Sequence, residues 1–426
     1  MQLSEVRDDD MGTRQFISAI PFFDTSMAVH AYRMMTHDGD KLLGAAEDFR
    51  MLGGELLAPA LEFVKDIGIE PFAGSHDFFV GISKFQLLVG MPLNMNIPPE
   101  KLVCIIDNET LTDNAAYVKL GILKRRGYRL ALEGLPGSHL SMDTAVKVFD
   151  YILLNSSLPG FTEEFKSIRP YIFKIGLIIT NIPDMEHYKK FAGARNVLLS
   201  GDFYSQPITK GLKEISPLKI NSLQLLKQIN EEDFDLIVAA NTIGRDAALS
   251  ISLLRFLNAI NPDRSNTIDS IRNAVTILGQ NEVKKWATVA ISVSIGEDRP
   301  SEITRLSLIR AKFAETLAAA FNMAEKSGSL FIAGLFSLLD VILQMPIQEA
   351  IGEIAADSEV RDALVKKEGP IHEILSLIYA YERADWHNAS IIMVRNGVDI
   401  EVLTQAFLDS LYWYRQILDA IDAEVI

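Results

Sequence analysis

Short apolar runs separated by amphipathic segments fill the first half of the chain, from Phe16 to about Pro207. The runs are short enough to be buried strands, and the segments at 114–126 and 185–191 have the spacing of surface helices. Strands that alternate with helices are typical of a parallel sheet. With about seven such units the pattern predicts a closed or eroded (β/α) barrel, although about 190 residues is short for that fold. The strands are predicted at 16–20, 78–82, 102–106, 128–132, 150–154, 172–179 and 197–199.

The pattern changes near Thr209, after which apolar residues recur at helical spacing. Asn221 and Ser222 are predicted to cap the first helix, and Leu249 and Leu253 belong to the apolar stripe of another. Further helices are predicted at 268–278, 283–293, 303–324, around Leu330, and at 346–355, 371–386 and 400–418. The fold class is therefore α/β plus all-α. The predicted units are a flexible N-terminus (1–14), a barrel (15–207), a linker (208–219) and an all-α domain (220–426).

Composition narrows the classes of function. Hydrophobic residues make up 48% of the 426 positions and charged residues 23%, which is enough apolar surface for folded cores. The formal net charge is −15, and this argues against general binding to nucleic acids or anionic membranes, because both need a basic face. Lys124, Arg125 and Arg126 form a small basic cluster, which we interpret as a solvated loop or a helix end.

Three features favour a cytoplasmic protein that does not span a membrane. Cys104 is the single cysteine, so no disulfide can form within the chain, and its apolar neighbours predict a buried strand residue. The first residues are polar and acidic, unlike a signal peptide. The most membrane-like stretch, 327–339, has 13 uncharged residues, whereas a membrane helix needs roughly 20.

Several predicted strands resemble motifs of the EAL domains, a family of phosphodiesterases that cleave cyclic di-GMP. The matching segments are IPFFD (20–24) for Q-P-I-hydrophobic-D, AYRMM (31–35) for the name motif, FVGIS (79–83) for F-V-N-I-S, LVCII (102–106) for L-V-L-E-I, GYRLALEG (127–134) for G-Y-x-x-A-L-D-D, DYILLN (150–155) for D-x-I-K-I-D, GLIIT (176–180) for A-E-x-V-E and SGDFYSQP (200–207) for Q-G-Y-F-F-S-K-P. The resemblance implies a TIM-type barrel. It also shows which positions of this chain correspond to the family's metal ligands.

The family's reaction uses two metal ions that activate water and hold the phosphate. Mg²⁺ and Mn²⁺ need hard oxygen ligands, chiefly carboxylates. At the family's Glu, Asn, Glu, Asp, Asp, Lys and Glu positions, this chain has Arg33, Gly81, Ile105, Glu133, Gly134, Leu153 and Thr180, and further family residues are replaced by Asn155, Leu177 and Ser200. One acid cannot hold two divalent cations, and the fixed charge of Arg33 repels a cation. We therefore predict a degenerate barrel with no catalytic, cofactor-binding or metal-binding residue.

The polar residues that remain in the barrel have structural interpretations. Asp24 follows a strand and is expected to cap a turn or a helix. Glu133 ends a barrel strand, where catalytic residues gather, but by itself it is interpreted as a remnant or as the ion-pair partner of Arg33. The histidines show no metal-ligand spacing and are expected to be ordinary surface or core residues; they are His30, His37, His76, His139 and His187.

The second half resembles the HDOD domains along nearly its whole length. The resembling blocks are 241–259, 271–279, 310–315, 331–340 and 380–386. HDOD domains resemble metal-dependent HD hydrolases in fold and typically lack their His and Asp ligands. His372 and His387 are the histidines of this half, and they are isolated, so the resemblance implies no metal site here.

The other notable residues of this half are expected to be structural. Asp246, Arg310 and Glu315 are predicted to form salt bridges or to cap helices. The tryptophans at 286, 386 and 413 are predicted to lie in the core or at an interface.

The order of the two resemblances is that of bacterial EAL–HDOD signalling proteins. The resemblance implies a place in bacterial signal transduction. Because the metal-ligand positions hold other residues, we predict a catalytically inactive regulator that acts through contacts with an unidentified signalling protein. A second hypothesis is a receptor that binds cyclic di-GMP without cleaving it, with Arg33 on a phosphate. A third is a residual metal-dependent phosphodiesterase. No cofactor or nucleic-acid partner is expected, and a homodimer stays open because EAL barrels often pair.

Overall fold

Most of both predicted domains is described by the structure, which is a computed structural model. The described residues are 15–38, 64, 67–94, 97–191, 193–209, 217–231, 243, 247–260, 268–296, 299–354 and 356–422. The predicted flexible N-terminus, residues 210–216 of the predicted linker, and Asp246 lie outside them.

Eight strands form a closed barrel in chain order, which confirms the predicted architecture of the first half. The first strand runs antiparallel to both of its neighbours, and all the other neighbouring pairs are parallel. The strands are β1 (Gln15–Phe23), β2 (Val29–Asp38), β3 (Asp77–Gly81), β4 (Leu102–Asp107), β5 (Arg129–Glu133), β6 (Tyr151–Asn155), β7 (Gly176–Thr180) and β8 (Val197–Leu199).

Two strand predictions were wrong. The predicted set of about seven strands omitted β2. Arg33 and the polar residues at the end of β2 interrupt the apolar run that marks a buried strand. The predicted strand at 172–179 begins four residues late, at Gly176. Ile172 packs against the core from a turn, so its apolar side chain does not indicate a strand.

Short helices connect the strands, and their ends follow from local sequence. Ser83 makes a capping box with Gln86, and Asp113 accepts hydrogen bonds from the N–H groups of Ala115 and Ala116. The basic cluster at 124–126 ends the helix that Asp113 begins, as interpreted. The helices are α1 (Glu70–Ala73), α2 (Lys84–Val89), α3 (Asn114–Arg125), α4 (Met142–Val148), α5 (Phe161–Ile168) and α6 (Met185–Lys189).

The barrel has an inner and an outer apolar layer, because alternate residues of a strand point to opposite faces. Phe22, Phe79, Ile105, Leu153 and Ile178 belong to the inner cluster. The intervening strand residues join a larger core between the strands and the helices. Cys104 is one of them and is fully buried in β4, as predicted.

The described residues after 216 contain only helices and turns, which confirms the all-α prediction for the second half. The first helix begins at Pro217, so the predicted cap at Asn221 and Ser222 was wrong and these residues lie inside it. The helix at 386–396 was not predicted; it follows a break at Ala384, which has a positive φ of 55°. The helices are α7 (Pro217–Asn230), α8 (Ala247–Ile260), α9 (Ile271–Leu278), α10 (Gln280–Ile295), α11 (Ser301–Leu317), α12 (Ser327–Phe336), α13 (Leu339–Leu343), α14 (Ile347–Gly352), α15 (Ser358–Arg361), α16 (Gly369–Glu382), α17 (Trp386–Asn396) and α18 (Ile400–Asp422).

Helix α11 lies at the centre of this domain and is buried on most of its sides. It ends at Leu317, seven residues before the predicted end at Ala324. Aromatic rings fill the surrounding core, where Trp286 contacts both Phe256 and Trp413. Among the described residues, no helix is both long and apolar enough to cross a membrane.

The two halves of the chain meet along the β1–β2 hairpin. Strand β2 pairs with β3 only from Ala31 to Arg33, so the rest of the hairpin extends beyond the barrel. Phe16 on this extension stacks on Trp386 with the ring centroids 5.1 Å apart, and the Ile17 N–H donates to the Tyr381 hydroxyl. The helical domain is therefore held against the end of the barrel where the hairpin projects.

Candidate functional site at the barrel mouth

The carboxyl ends of the parallel strands form the mouth of the barrel, where TIM-barrel enzymes place their catalytic groups. Gly81, Glu133, Asn155 and Thr180 are the last residues of β3, β5, β6 and β7. Arg33 on β2 reaches the same region, because its guanidinium contacts Glu133. The sequence resemblance therefore placed these five positions together correctly.

The floor of the mouth is apolar. Ile105 and Leu153 are both 2% exposed and belong to the inner cluster with Phe79. Leu177, which stands where the family motif has a glutamate, is fully buried in the outer core. It therefore does not contribute to the mouth. Hydrocarbon side chains offer no lone pair to a cation, so the floor cannot ligate a metal ion.

Arg33 and Glu133 form the predicted ion pair. An Nη atom of Arg33 lies 2.9 Å from the Glu133 carboxylate, and the side chains are 19% and 50% exposed. The Nε atom of Arg33 is buried and has no hydrogen-bond partner within the described residues. The pair places a fixed positive charge where the family resemblance implies a metal ligand.

Three further polar residues near the mouth accept hydrogen bonds from neighbouring residues of the chain. Asp24 caps a turn, as expected, by accepting hydrogen bonds from Ser26 and from the N–H of Ala28. Asn155 accepts from Ser157 in the same way. Asp107, which the sequence analysis did not single out, accepts from the N–H of Thr110.

The donor set does not fit a pair of divalent cations. No group of three or more His, Cys, Asp or Glu residues that could hold a metal ion occurs among the described residues. His187 bonds to the capping Asp184, and His76 bonds to the Ala73 carbonyl, which are ordinary structural contacts. Within the described part of the chain, the polar groups at the mouth form hydrogen bonds and ion pairs.

A cavity of about 740 Å³ opens above the mouth, between the barrel and the helical domain. Ile20, Thr180 and Ile182 line it from the barrel side, while Ile309 of α11 and Phe407 of α18 line it from the helical side. Sequence motifs could not reveal it, because its two walls are more than a hundred residues apart in the chain.

Gly201 shows why part of the family's terminal motif is kept at the rim of this cavity. A Cβ atom at this position would lie 2.1 Å from the Ile182 carbonyl oxygen. The loops after β7 and β8 can approach each other only if position 201 has no side chain. Ser200 ties the same rim to β1 by donating its hydroxyl to the Pro21 carbonyl.

A second polar cluster, the Tyr32–Glu302–Arg305 cluster, closes the junction beside the cavity. The Tyr32 hydroxyl donates to a Glu302 oxygen over 2.6 Å, and Arg305 reaches the other Glu302 oxygen over 2.8 Å. The guanidinium carbon of Arg305 also lies 4.7 Å from the centre of the Tyr32 ring. No sequence motif marks this cluster, since Tyr32 is an unremarkable neighbour of Arg33 and Glu302 lies in the other domain.

Burial explains the electrostatics of the Tyr32–Glu302–Arg305 cluster. It raises the pKa of the Tyr32 hydroxyl well above its usual range, so this group stays a neutral donor. Burial also acts to lower the pKa of Arg305, but the Glu302 carboxylate and the Tyr32 phenol raise it above its ordinary value. Arg305 therefore stays charged at the domain junction.

The helical domain contains the salt bridges that were predicted for Arg310 and Glu315. Arg310 donates three hydrogen bonds of 2.7–3.0 Å to Glu382 and one to the Ser337 hydroxyl. Glu315 accepts from Lys285 and Lys312. These residues connect α10, α11, α12 and α16, so they have a structural role.

The histidines and tryptophans of this domain also agree with their predicted roles. His372 bonds to the Ala363 carbonyl and to Ser376. Trp286 is buried, and Trp386 and Trp413 are partly buried against the core.

Comparison with known proteins identifies the second half and finds relatives of nearly full length. The HDOD domain model matches residues 216–369. "Uncharacterized protein YuxH" of Bacillus subtilis (strain 168) is 26% identical over 416 residues, which cover 96% of this chain and 100% of that protein. "Cyclic di-GMP phosphodiesterase CdgJ" of Vibrio cholerae serotype O1 is 23% identical over 413 residues, which cover 96% of this chain and 94% of that protein.

Among solved structures, the similarity is confined to less than half of the chain. The calcium and cyclic di-GMP complex of Klebsiella pneumoniae BlrP1 is 13% identical with a TM-score of 0.35, covering 46% of this chain and 56% of that one. The EAL-like domain protein YdiV is 15% identical with a TM-score of 0.33, covering 44% of this chain and 89% of that one. The chain thus spans little more than half the length of BlrP1.

The barrel motifs, the closed barrel and the HDOD match occur in the order that the sequence analysis predicted. The chain therefore contains an HDOD domain after a closed barrel with EAL-like motifs, which is the domain order of the EAL–HDOD proteins.

Proposed function

We propose that this protein is a non-enzymatic signalling regulator, in which both hydrolase-like domains act as scaffolds for contacts with a signalling protein. The Arg33–Glu133 ion pair carries the proposal. It directs a guanidinium to the one carboxylate that the mouth keeps among the seven family positions, and that carboxylate is no longer free for a cation. The family's reaction activates water with metal ions, and the described residues of the mouth supply no set of ligands that could hold them.

The packing of the helical domain supports the same proposal. Helices α11 and α18 form one wall of the cavity above the mouth, so a substrate would have to enter beneath them. The Tyr32–Glu302–Arg305 cluster is buried at the junction, and separating the domains would expose it. A regulator that acts through its surface needs this rigidity and does not need an open active site.

A receptor for cyclic di-GMP is the second candidate. It is favoured by the cavity at the mouth and by the 23% identity to a Vibrio cholerae protein named as a cyclic di-GMP phosphodiesterase. The charges of the cavity argue against it. Arg33, Arg305 and Arg383 line the cavity, and each already contacts a carboxylate. A dianionic phosphodiester would have to compete for these cations.

Hydrolysis and binding of cyclic di-GMP test the proposal together. Purified protein is incubated with cyclic di-GMP and either Mg²⁺ or Mn²⁺, and the linear product is quantified, with Vibrio cholerae CdgJ as the positive control. Calorimetric titration with the same nucleotide measures binding. We expect neither turnover nor heat. Turnover that needs metal would overturn the proposal, and micromolar binding without turnover would establish the receptor instead.

A further inference from the structure

The end of the barrel opposite the mouth is strongly basic. In a (β/α) barrel the outer helices run antiparallel to the strands, so the last turn of each helix and the start of the next strand lie at this end. The segments that connect α3 to β5, α4 to β6, α5 to β7 and α6 to β8 contain eleven lysines and arginines and one acid, Asp150. These segments, here called the basic end, are residues 124–129, 147–151, 166–176 and 189–197.

Most cations of the basic end are available to an outside partner. Lys124 lies 2.8 Å from the Asp150 carboxylate, and Arg129 lies 2.6 Å from Asp77. The other nine cations are exposed, and none of them makes an ion pair with a described residue. Since the chain as a whole has a formal net charge of −15, the basic end is a local reversal of its charge.

Helix dipoles account for only some of these cations. A basic residue in the last turn of a helix is stabilised by the dipole, as for Arg125 of α3 and Lys189 of α6. The effect falls off within the last turn, whereas Lys174 and Arg195 lie six residues beyond the ends of α5 and α6. The charges of these two loop residues therefore need another explanation.

Phe173 projects from the same loop as Lys174. It is 87% exposed, more than any other large apolar residue in the described part of the chain. The loop is fixed, because the Asn196 amide donates hydrogen bonds to the carbonyls of Ile172 and Ile175 over 2.8 and 3.0 Å. These bonds also bring the loop of Arg195 next to that of Phe173. An exposed aromatic ring is thus held in place among cations.

This combination fits a lipid surface better than a nucleic acid. Proteins that bind single strands stack successive bases on several aromatic side chains along a groove. Phe173 is the one exposed aromatic residue among the described residues of the basic end, and it projects from a loop. A projecting apolar ring gains free energy by leaving water for an apolar phase, and cations around it meet anionic headgroups.

We propose that the basic end of the barrel binds the surface of an anionic lipid bilayer, with the Phe173 ring inserted among the lipids and the surrounding cations on their headgroups. The net charge of −15 does not cancel this attraction, because at physiological ionic strength charges act over only about 8 Å. The mouth and the helical domain then face away from the membrane. The inference goes beyond the proposed function and holds whether or not the barrel is an enzyme.

Co-sedimentation of the full chain with lipid vesicles tests the electrostatic part. We expect binding to phosphatidylcholine vesicles that contain about 30% phosphatidylserine, no binding to phosphatidylcholine alone, and release at about 0.5 M salt. The double variant Lys174→Gln/Arg195→Gln should weaken binding roughly twentyfold, since each cation near an anionic surface contributes roughly fivefold. Lys366→Gln/Arg395→Gln is the matched control, because it removes two exposed cations of the helical domain and should leave binding unchanged.

Two substitutions of Phe173 test the insertion of the ring. Phe173→Ala should weaken binding roughly tenfold, and Val118→Ala, at an exposed position in the middle of α3, should leave it unchanged. Phe173→Trp places an indole at the tip of the loop. In the presence of anionic vesicles, its emission should shift to the blue and be quenched by lipids that are brominated on their acyl chains, relative to the wild type.

Three results would overturn the inference: no binding to anionic vesicles at low salt, equal affinities of Lys174→Gln/Arg195→Gln and its control, or an indole at position 173 that brominated lipids do not quench. Binding of a duplex DNA oligonucleotide without binding to vesicles would also overturn it, because it assigns the basic end to nucleic acid. Circular dichroism establishes that each variant is folded. None of these readouts depends on turnover of cyclic di-GMP, so the proposed function and this inference fail separately.

Discussion

The barrel and the helical domain each contain an arginine–glutamate pair, and the two pairs differ in almost every physical respect. Arg33 and Glu133 meet through one contact at the barrel mouth, where the glutamate side chain is half exposed. Arg310 and Glu382 share three hydrogen bonds in the helical domain, with side chains 8% and 14% exposed. The same residue types can thus be a weak surface contact in one domain and a structural element in the other.

Burial is the reason for the difference. An exposed ion pair gains little, because water screens it and the side chains lose freedom. A buried charge that loses its partner keeps the full cost of desolvation. We therefore expect the mouth to tolerate substitutions that the core of the helical domain does not.

The largest effect is expected at the buried pair. Arg310→Met leaves Glu382 without its main partner in a buried position and should lower the free energy of unfolding by about 3–5 kcal/mol. Urea unfolding followed by circular dichroism measures the change. The double variant Arg310→Met/Glu382→Gln removes both charges and should recover part of the loss. A loss below about 1 kcal/mol in the single variant would mean that the Arg310–Glu382 pair stabilises the fold no more than an exposed ion pair does.

The next effect is expected at the domain junction. Tyr32→Phe removes the hydroxyl that donates to the buried Glu302 and should cost about 1.5–3 kcal/mol, the range for hydrogen bonds to charged groups. Tyr117→Phe is the matched control, since Tyr117 lies at the surface of α3 and should change stability by less than about 0.5 kcal/mol. Equal effects of the two substitutions in urea unfolding would show that the junction does not contribute to stability.

A smaller, pH-dependent effect is expected at Asp340, which accepts a hydrogen bond from the Ile208 N–H. Burial raises the pKa of this carboxyl above its ordinary value of 3.8, so the folded chain binds the proton more tightly than the unfolded chain. The resulting stabilisation is complete below pH 3.8 and is lost as the pH rises through the folded pKa.

Asp340→Asn keeps an acceptor for Ile208 and removes the charge. Relative to the wild type, the variant should gain stability as the pH rises from about 4 to 7, because only the wild-type side chain becomes charged in a buried position over this range. Thermal unfolding across this pH range measures the difference. A wild-type advantage that grows with pH would show that the ionised carboxylate is the stabilising form.

The smallest effect on stability is expected at the mouth. Arg33→Met removes an exposed ion pair and a donor without a partner, so the free energy of unfolding should change by less than about 1 kcal/mol. Glu133→Gln should also change the free energy of unfolding by less than about 1 kcal/mol. Destabilisation as large as that of Arg310→Met would mean that the Arg33–Glu133 pair supports the barrel, and the mouth would then not be a tolerant site.

Sequence motifs predicted the contents of the mouth well but its surroundings poorly. Arg33, Gly81, Glu133 and Thr180 lie where the resemblance placed them, because carboxyl ends of parallel strands must meet at one end of a barrel. Strand β2 was missed, because Arg33 interrupts the apolar pattern that marks a buried strand, although the EAL-like motif at 31–35 lies on it. The helix at 386–396 was missed, although Asp385 marks its start by accepting a hydrogen bond from the Asn388 N–H.

The sequence by itself determined the two fold classes, their order, and the types of residue at the positions that the resemblance compares with metal ligands. These properties depend on local periodicity and residue type, which a single chain displays directly. Only the tertiary structure decided that Arg33 pairs with Glu133, that Glu302 of one domain receives the hydroxyl of Tyr32 from the other, and that a cavity lies between them. These contacts join residues 100 and 270 positions apart, and their strength depends on burial, which the order of residues along a chain does not specify.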